Sequence, residues 1–382
     1  AIKSLSKVDH VLISTEDMSK YSSKNFGISK TCRNIISQIE KIRPVTLVIF
    51  GSPYSLKYFD DYDRVVMSYT DDSTMMDKTA QAIFGAAAIQ GSLPVTASEE
   101  FKYGQGERRV SLQRLGFAAP EEVGMSSDTL LGIDELVDEM IAMKAAPGCQ
   151  IFVAKNGQVV FNKAYGTHDY SSSHPVQLID VYDVASVTKI AASTVSIMQL
   201  YDQGRLDIDG TLQPFVTGID TTDKKDKTIR DMMAHHAGLA GWIPFYKSTI
   251  DLASRKTKPL DKYYRSIPTD SFHIQVASNL FMRADYIDSI WAQIVTSDLL
   301  KNTNYRYSDL AFYMMMRVVE SQSNLKLDQY CTERFYQPLG MRRTCFNPRN
   351  AIPLKEIVPS EKDNYFRNQV IKGYVHDMGA AM

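Results

Sequence analysis

Tyr182-Asp183-Val184-Ala185-Ser186-Val187-Thr188-Lys189-Ile190 is the stretch on which the reading of this chain turns. Ser186 and Lys189 stand at i and i+3, so a helix opening here carries both side chains on one face. A serine hydroxyl is a poor nucleophile until a neighbouring base takes its proton. A lysine serves as that base when burial and its neighbours depress its pKa. A helix that opens at the serine also points backbone N–H groups and the positive dipole end at a developing oxyanion. The spacing alone is not specific, because Ser-x-x-Lys recurs at Ser4–Lys7 and Ser323–Lys326. For any one of these, a capping or surface serine beside a solvated lysine is the ordinary reading. Ser186 differs in its surroundings: it follows a hairpin and opens a long, largely apolar helix, expected over 186–202 and ended by Gly204.

Upstream, Gln150–Lys155 and Gln158–Tyr165 read as two strands around Asn156-Gly157, a strong hairpin signal. Asp128–Met143 reads as an amphipathic helix with Leu131, Leu136, Val137, Met140 and Ile141 on its inner side. Helical patterns recur at 228–234, 287–300 and 309–321. Further upstream, 9–15, 44–51 and 65–67 read as strands, and Ile28–Ile42 and Met75–Phe84 as helices. The run Pro44-Val-Thr-Leu-Val-Ile-Phe-Gly51 is apolar almost throughout, as in a strand buried on both faces. Alternation of strand and helix argues for an α/β layer. Residues 102–120 are rich in glycine and charge. The expected organisation is therefore a first domain at 1–106, a linker at 107–120 and a second domain at 121–382.

The chain has 382 residues, 44% of them hydrophobic, with 43 Lys+Arg against 44 Asp+Glu. That length suggests two or three domains with a sizeable core. The net charge of −1 leaves no electrostatic footprint for nucleic acid or an anionic membrane. No apolar run approaches the ~20 residues of a membrane span, and no signal peptide opens the chain. Cys32, Cys149, Cys331 and Cys345 lack metal spacing, and no metal or cofactor is expected. Cys331 and Cys345 are left open between a pair and free thiols. Asp60, Asp61, Asp71 and Asp72 could suggest a carboxylate pair, but exposed loop acids are the plainer reading.

The segment 182–190 resembles the nucleophile segment of the class C β-lactamase and penicillin-binding-protein family. Other segments match in order: Pro147–Gly157 with Ala164-Tyr-Gly166, Leu200–Asp207, Ile229-Arg-Asp-Met-Met-Ala-His-His-Ala-Gly-Leu239, Tyr307-Ser-Asp309, Pro338-Leu-Gly-Met341 and Gly373–Asp377. The resemblance spans about 230 residues. It implies Ser186 as nucleophile, Lys189 as base and Tyr307 as proton relay to the leaving group. It implies a substrate contact at 309, where Asp309 stands in place of the family's Asn; Trp242, on the loop after His236, is read either as lining the pocket or as an exposed or half-buried aromatic. A carboxylate only accepts hydrogen bonds where an amide also donates. At 309 it could instead pair with Lys189 and hold the lysine protonated. For His235 and His236 the family segment implies structural support beside the site.

Residues 1–106, through Val45–Tyr54, Ala80–Gly85 and Gly91–Val95, resemble the later part of the carboxy-terminal α/β domain of family-three glycoside hydrolases. The expected fold class is thus α/β: a partial glycosidase-type α/β domain, then a β-lactamase/transpeptidase-like α+β domain. The family also carries a Lys-Thr-Gly or His-x-Gly strand after the Tyr motif. No such triplet follows Tyr307, because His236-Ala-Gly238 precedes it, so the second domain is expected to be truncated at its carboxyl end. The leading expectation is a serine hydrolase acting by acyl transfer on a small molecule or a cell-wall peptide, in the periplasm or cell envelope of a bacterium. The alternatives are a structural portion of a β-N-acetylglucosaminidase-type glycosidase fusion and a non-catalytic binding module.

Overall fold

The computed structural model describes residues 5, 7–112, 114–171, 174–253, 257–302 and 304–375. Ser4 of the first Ser-x-x-Lys, and His376 and Asp377 of the last motif segment, lie outside the described residues. The chain divides into two compact units, residues 1–139 with 151–163 and residues 140–150 with 164–382.

In the first unit, β1 (Val11–Thr15), α1 (Lys30–Glu40), β2 (Val45–Ile49), β3 (Val65–Met67) and α2 (Ser73–Ile83) alternate as the sequence suggests. The strands are all parallel in the order β1-β2-β3. β2 is central and Leu47 and Ile49 are fully buried, which is why its sequence is a continuous apolar run. Ile28, Ile36, Val45, Leu56 and Phe59 complete this core, whereas Ile35 is exposed. Ser29 caps α1 by accepting from Cys32 N at 3.0 Å. Asp72 caps α2 by accepting from Met75 N at 3.0 Å. Asp71 accepts from Asp17 N at 2.9 Å and Asp60 from Ser98 Oγ at 2.6 Å, so these acids hold turns and caps.

The stretch 107–120, expected as a linker, lies inside this first unit. Its backbone is paired: Arg109 and Ile89 exchange hydrogen bonds of 2.8 and 2.9 Å, and Leu112 N donates to Gly85 O at 2.8 Å. β4 (Gly116–Phe117) then runs parallel to residues 158–159. Glycine and charge enrichment imitated a linker, but the peptide groups found partners. The division falls instead within α3 (Ser127–Ala142) and the hairpin of β5 (Gly148–Lys155) and β6 (Gln158–Gly166). In α3, Leu130 and Val137 are buried, while Leu131 and Leu136, expected inside, are exposed. Asn156 and Gly157 both take positive φ, 52° and 75°, the conformation that closes a two-residue hairpin.

The second unit contains α4 (Val195–Asp202), α5 (Ile229–Met233), a pair of short strands β7 (Ile250–Asp251) and β8 (Lys258–Pro259), and a sheet of β9 (Tyr264–Arg265), β10 (Phe272–Ala277) and β11 (Leu280–Arg283). α6 (Tyr286–Thr296), α7 (Leu310–Ser323) and α8 (Leu327–Cys331) follow. α7 is the central element. Leu310, Ala311, Phe312, Met314, Met315, Val318 and Val319 are all buried, and α4 and α5 pack on it. All four cysteines are free thiols, and buried Cys331 lies with its Sγ 3.5 Å from Ser196 Oγ.

Gly166 tests the geometry that leads the chain toward the nucleophile. Its φ is 66°, and a Cβ there would strike Pro147 O and come within 2.8 Å of Gly148 Cα. Gly166→Ala is expected to destabilise the protein by roughly 1–3 kcal/mol, read as a lower melting temperature. An unchanged melt would show that this backbone yields freely.

Candidate active site

The approach to Ser186 is anchored before it is reached. His168 and Asp180 form a buried pair, Nε2 to Oδ2 at 2.7 Å, and the same oxygen accepts from Gln177 N at 2.6 Å. Gln150 Nε2 donates to Asp180 O at 3.2 Å. Val181 N donates to Glu356 O at 2.8 Å, and Val358 N returns a bond to Val181 O at 2.9 Å. Asp183 Oδ1 then accepts from Ala185 N at 2.8 Å, holding Ala185 at φ 42°. A left-handed alanine is strained. It turns the chain sharply, so that Ser186 emerges exposed at the head of a short 3-10 turn, Ala185–Val187.

The helix expected over 186–202 is not continuous. After the 3-10 turn comes a π-turn, Lys189–Thr194, and only then α4. Side-chain hydroxyls explain the change. Thr194 Oγ1 donates to Lys189 O at 2.8 Å, Tyr336 OH to Ala191 O at 3.1 Å, and Ser196 Oγ to Ala192 O at 2.7 Å. Carbonyls taken by hydroxyls tolerate a wider turn. Ile190 and Tyr201 are exposed, while Ser193, Ile197 and Leu200 are buried.

Lys189 is where the candidate residues meet. Its Nζ donates to Ser186 Oγ at 2.9 Å and pairs with Asp309 Oδ1 at 2.6 Å. The ammonium also lies 5.0 Å from the Tyr307 ring centroid and 5.8 Å from that of Phe312. Burial pulls the Lys189 pKa down, but bonding and charge from Asp309 and Tyr307 outweigh it and raise it above the ordinary value. Of the two expectations for Lys189, a depressed base or a lysine held protonated by Asp309, this direction favours the second. Asp309, expected at the substrate, has its Oδ1 against Lys189 and its side chain partly exposed.

Asp309 stands at the N-cap of α7, where the helix dipole favours a carboxylate. The loop 235–241 braces this end of α7. His235 Nδ1 accepts from Ser308 N at 3.1 Å, Ser308 Oγ donates to Ala240 O at 2.7 Å, and Asp309 N donates to Gly241 O at 2.8 Å. Trp242 follows directly, exposed, 6.3 Å from the Tyr246 ring. Tyr246 in turn stacks on Phe366 at 5.3 Å and meets Tyr365 edge-on at 6.1 Å. The other described Ser-x-x-Lys does not converge: Ser323 Oγ donates to Val319 O at 2.7 Å and Lys326 pairs with Glu320 at 3.4 Å. Among the described residues, no group of three or more His, Cys, Asp or Glu side chains is arranged to hold a metal ion. His168, Asp180 and the Ser308 contact of His235 carry no spacing signal. They become visible only when distant segments meet.

The family described as Beta-lactamase matches residues 133–367. A Salmonella paratyphi A protein named "Putative D-alanyl-D-alanine carboxypeptidase" is 26% identical over 244 residues, covering 60% of this chain and 50% of that protein. A Salmonella enteritidis protein of the same name is 26% identical over 247 residues, covering 61% and 51%. The chain spans about half the length of the curated relatives it matches. Among solved structures, the octameric penicillin-binding protein homologue from Pyrococcus abyssi is 16% identical with a TM-score of 0.47, covering 65% of this chain and 52% of that one. A penicillin-binding protein homologue from Caulobacter crescentus is 19% identical with a TM-score of 0.41, covering 57% and 50%.

A lysine whose folded pKa is raised adds stability that is fully present below its unfolded value, about 10.4, and is lost as pH rises through the folded value. In Asp309→Asn the carboxylate is gone and only Tyr307 still opposes burial, so the Lys189 pKa should fall. The stability difference between parent and Asp309→Asn is therefore expected to narrow as the pH is raised through the parent's folded value, above about 10.4, followed by chemical denaturation. A gap that stays constant would mean that the pair does not govern Lys189.

Proposed function

Because the chain belongs to the beta-lactamase family, we propose that it is a serine hydrolase that transfers an acyl group through Ser186. Ser186 Oγ attacks the carbonyl carbon of an amide or ester while its proton passes to neutral Lys189. Tyr307 relays a proton to the departing amine or alcohol as the carbon–nitrogen or carbon–oxygen bond breaks. Water then attacks the acyl carbon, the bond to Oγ breaks, and the serine recovers its proton. The observation that carries this reading is the 2.9 Å contact between Lys189 Nζ and Ser186 Oγ beside the Tyr307 ring. Acyl donors of the D-alanyl peptide, β-lactam and small-ester classes fit it, and the names of the relatives favour the first. Trp242 offers an apolar surface for the substrate's flank. The cell envelope is the compartment in which such peptides occur. Among the described residues no helix is long and apolar enough to cross a membrane.

The Asp309 pair favours a second reading, a binding module that keeps the fold without turnover, since a lysine held as a cation cannot take a proton. The first unit keeps its own reading as a glycosidase-type α/β layer, supported by three parallel strands with β2 at their centre.

Covalent labelling of Ser186 by a fluorophosphonate, followed by intact mass, separates these readings. The parent is expected to label faster as the pH rises, and Ser186→Ala to lose the label. Asp309→Asn should react about tenfold faster at neutral pH for each unit by which the lysine pKa falls. No label on Ser186 in either parent or Asp309→Asn would overturn the hydrolase reading in favour of the binding module.

A further inference from the structure

We propose that His235 is the positioning residue that sets Tyr307, Ser308 and Asp309, and that it does so only as a neutral imidazole with its proton on Nε2. The proposal rests on reading Ser186, Lys189 and Tyr307 as the active site, and it assigns that site an acid limit. Three observations meet at this ring. First, Ser308 N points its proton at His235 Nδ1 across 3.1 Å. A nitrogen that accepts a hydrogen bond holds a lone pair there, which leaves Nε2 as the protonated position. Second, the ring lies against Tyr307 at 4.6 Å and Phe312 at 5.6 Å, both of which also face Lys189 Nζ. Third, the backbone of His235 is left-handed, φ 61°, and is held so by its neighbours. His235 N donates to Met232 O at 3.2 Å, and its own carbonyl accepts from Arg306 N at 2.9 Å. The ring is therefore placed by the loop on one side and read by the Tyr307–Asp309 segment on the other.

Protonation would reverse each of these contacts. A second proton on the ring must go to Nδ1, where it would face the N–H of Ser308, a residue that is almost fully buried. Two donors would then oppose each other, and the Ser308 amide would lose its partner away from water. The new charge would also stand among the groups that face it. Lys189 approaches from the π-turn and His236 from its own loop, both unfavourable to a cation, while Asp309 from the head of α7 is favourable. Tyr305 and Tyr307 line the remaining side. Burial acts first and Lys189 next, and together they hold the His235 pKa below its ordinary value of about 6.5 despite Asp309. Because the folded pKa is the lower one, the stability this imidazole contributes is fully present above about pH 6.5 and is lost as the pH falls through the folded value.

The test compares the parent with His235→Asn and His235→Phe in the full chain. Asparagine suits a left-handed backbone and puts an amide oxygen near the position of Nδ1, so it can accept from Ser308 N without titrating. Phenylalanine keeps the ring contact and removes the acceptor. NMR of the parent should show the Ser308 amide and Tyr307 ring signals moving with the His235 midpoint, below pH 6.5. His235→Asn should lack that movement. Fluorophosphonate labelling of Ser186 supplies a second readout. Lys189 titrates in both proteins, so its contribution cancels in the ratio of parent to His235→Asn rates. That ratio should fall about tenfold per pH unit below the His235 midpoint. His235→Phe should label more slowly than His235→Asn at pH 8. A Ser308 amide that ignores the His235 titration, or a rate ratio that stays constant from pH 8 to pH 5, would overturn the proposal. If Ser186 labels in none of the proteins, the hydrolase reading fails, and the Ser308 and Tyr307 signals still decide the role of His235.

Discussion

Taking an ammonium partly out of water is costly unless it is paired, and the groups around the half-buried Lys189 meet that demand. Ser186 Oγ lies 2.9 Å from its Nζ, Asp309 Oδ1 lies 2.6 Å away, and two aromatic faces complete the surround. Asp309 is 120 positions beyond Lys189 in the chain, so the pair exists only because α7 packs against the π-turn and α4. The same contact settles a competition. Burial alone would turn Lys189 toward the neutral base that nucleophilic catalysis needs, and Asp309 turns it back toward the cation. An amide at 309 would leave only Tyr307 to oppose burial.

The precision of that arrangement comes from α7. Its buried leucine, methionine, valine and phenylalanine side chains each contribute on the order of 1.5–3 kcal/mol on burial. A helix held this firmly presents its N-terminal residues with little freedom. The loop 235–241 then grips that end at successive positions, by a ring against Tyr307, an imidazole nitrogen at Ser308 and a carbonyl at Asp309. On the opposite side, the His168–Asp180 pair and the Val181 backbone bonds fix the chain that delivers Ser186. Strain at Ala185 and His235 is tolerated because these contacts over-determine the local backbone.

Much of the fold was legible in the pattern of apolar residues. β2 is a continuous apolar run because both of its faces are covered, and the hairpin at Asn156-Gly157 closes because those residues accept positive φ. α7 could be placed from its spacing alone. The candidate site was legible in part: the i, i+3 spacing of Ser186 and Lys189 carried the chemistry, and the ordered segments around it carried the family. Composition misled at 107–120, where glycine and charge suggested a linker but paired backbone holds the segment within the first unit. It misled again over 186–202, where apolar periodicity implied one helix. Hydroxyls from Thr194, Ser196 and Tyr336 instead claim the carbonyls and widen the turn.

What the sequence by itself determined is local: strand and helix periods, turn residues, caps, and the presence of a serine three residues ahead of a lysine. Each depends on neighbours a few positions away, and short-range sterics and hydrogen bonding are written into that order. Only the tertiary structure decided the charge on Lys189, the pairing of Asp309 and the tautomer of His235. Protonation is set by desolvation and by charges brought close in space, and the groups responsible, Asp309 for Lys189 and Ser308 for His235, come from the head of a helix far along the chain.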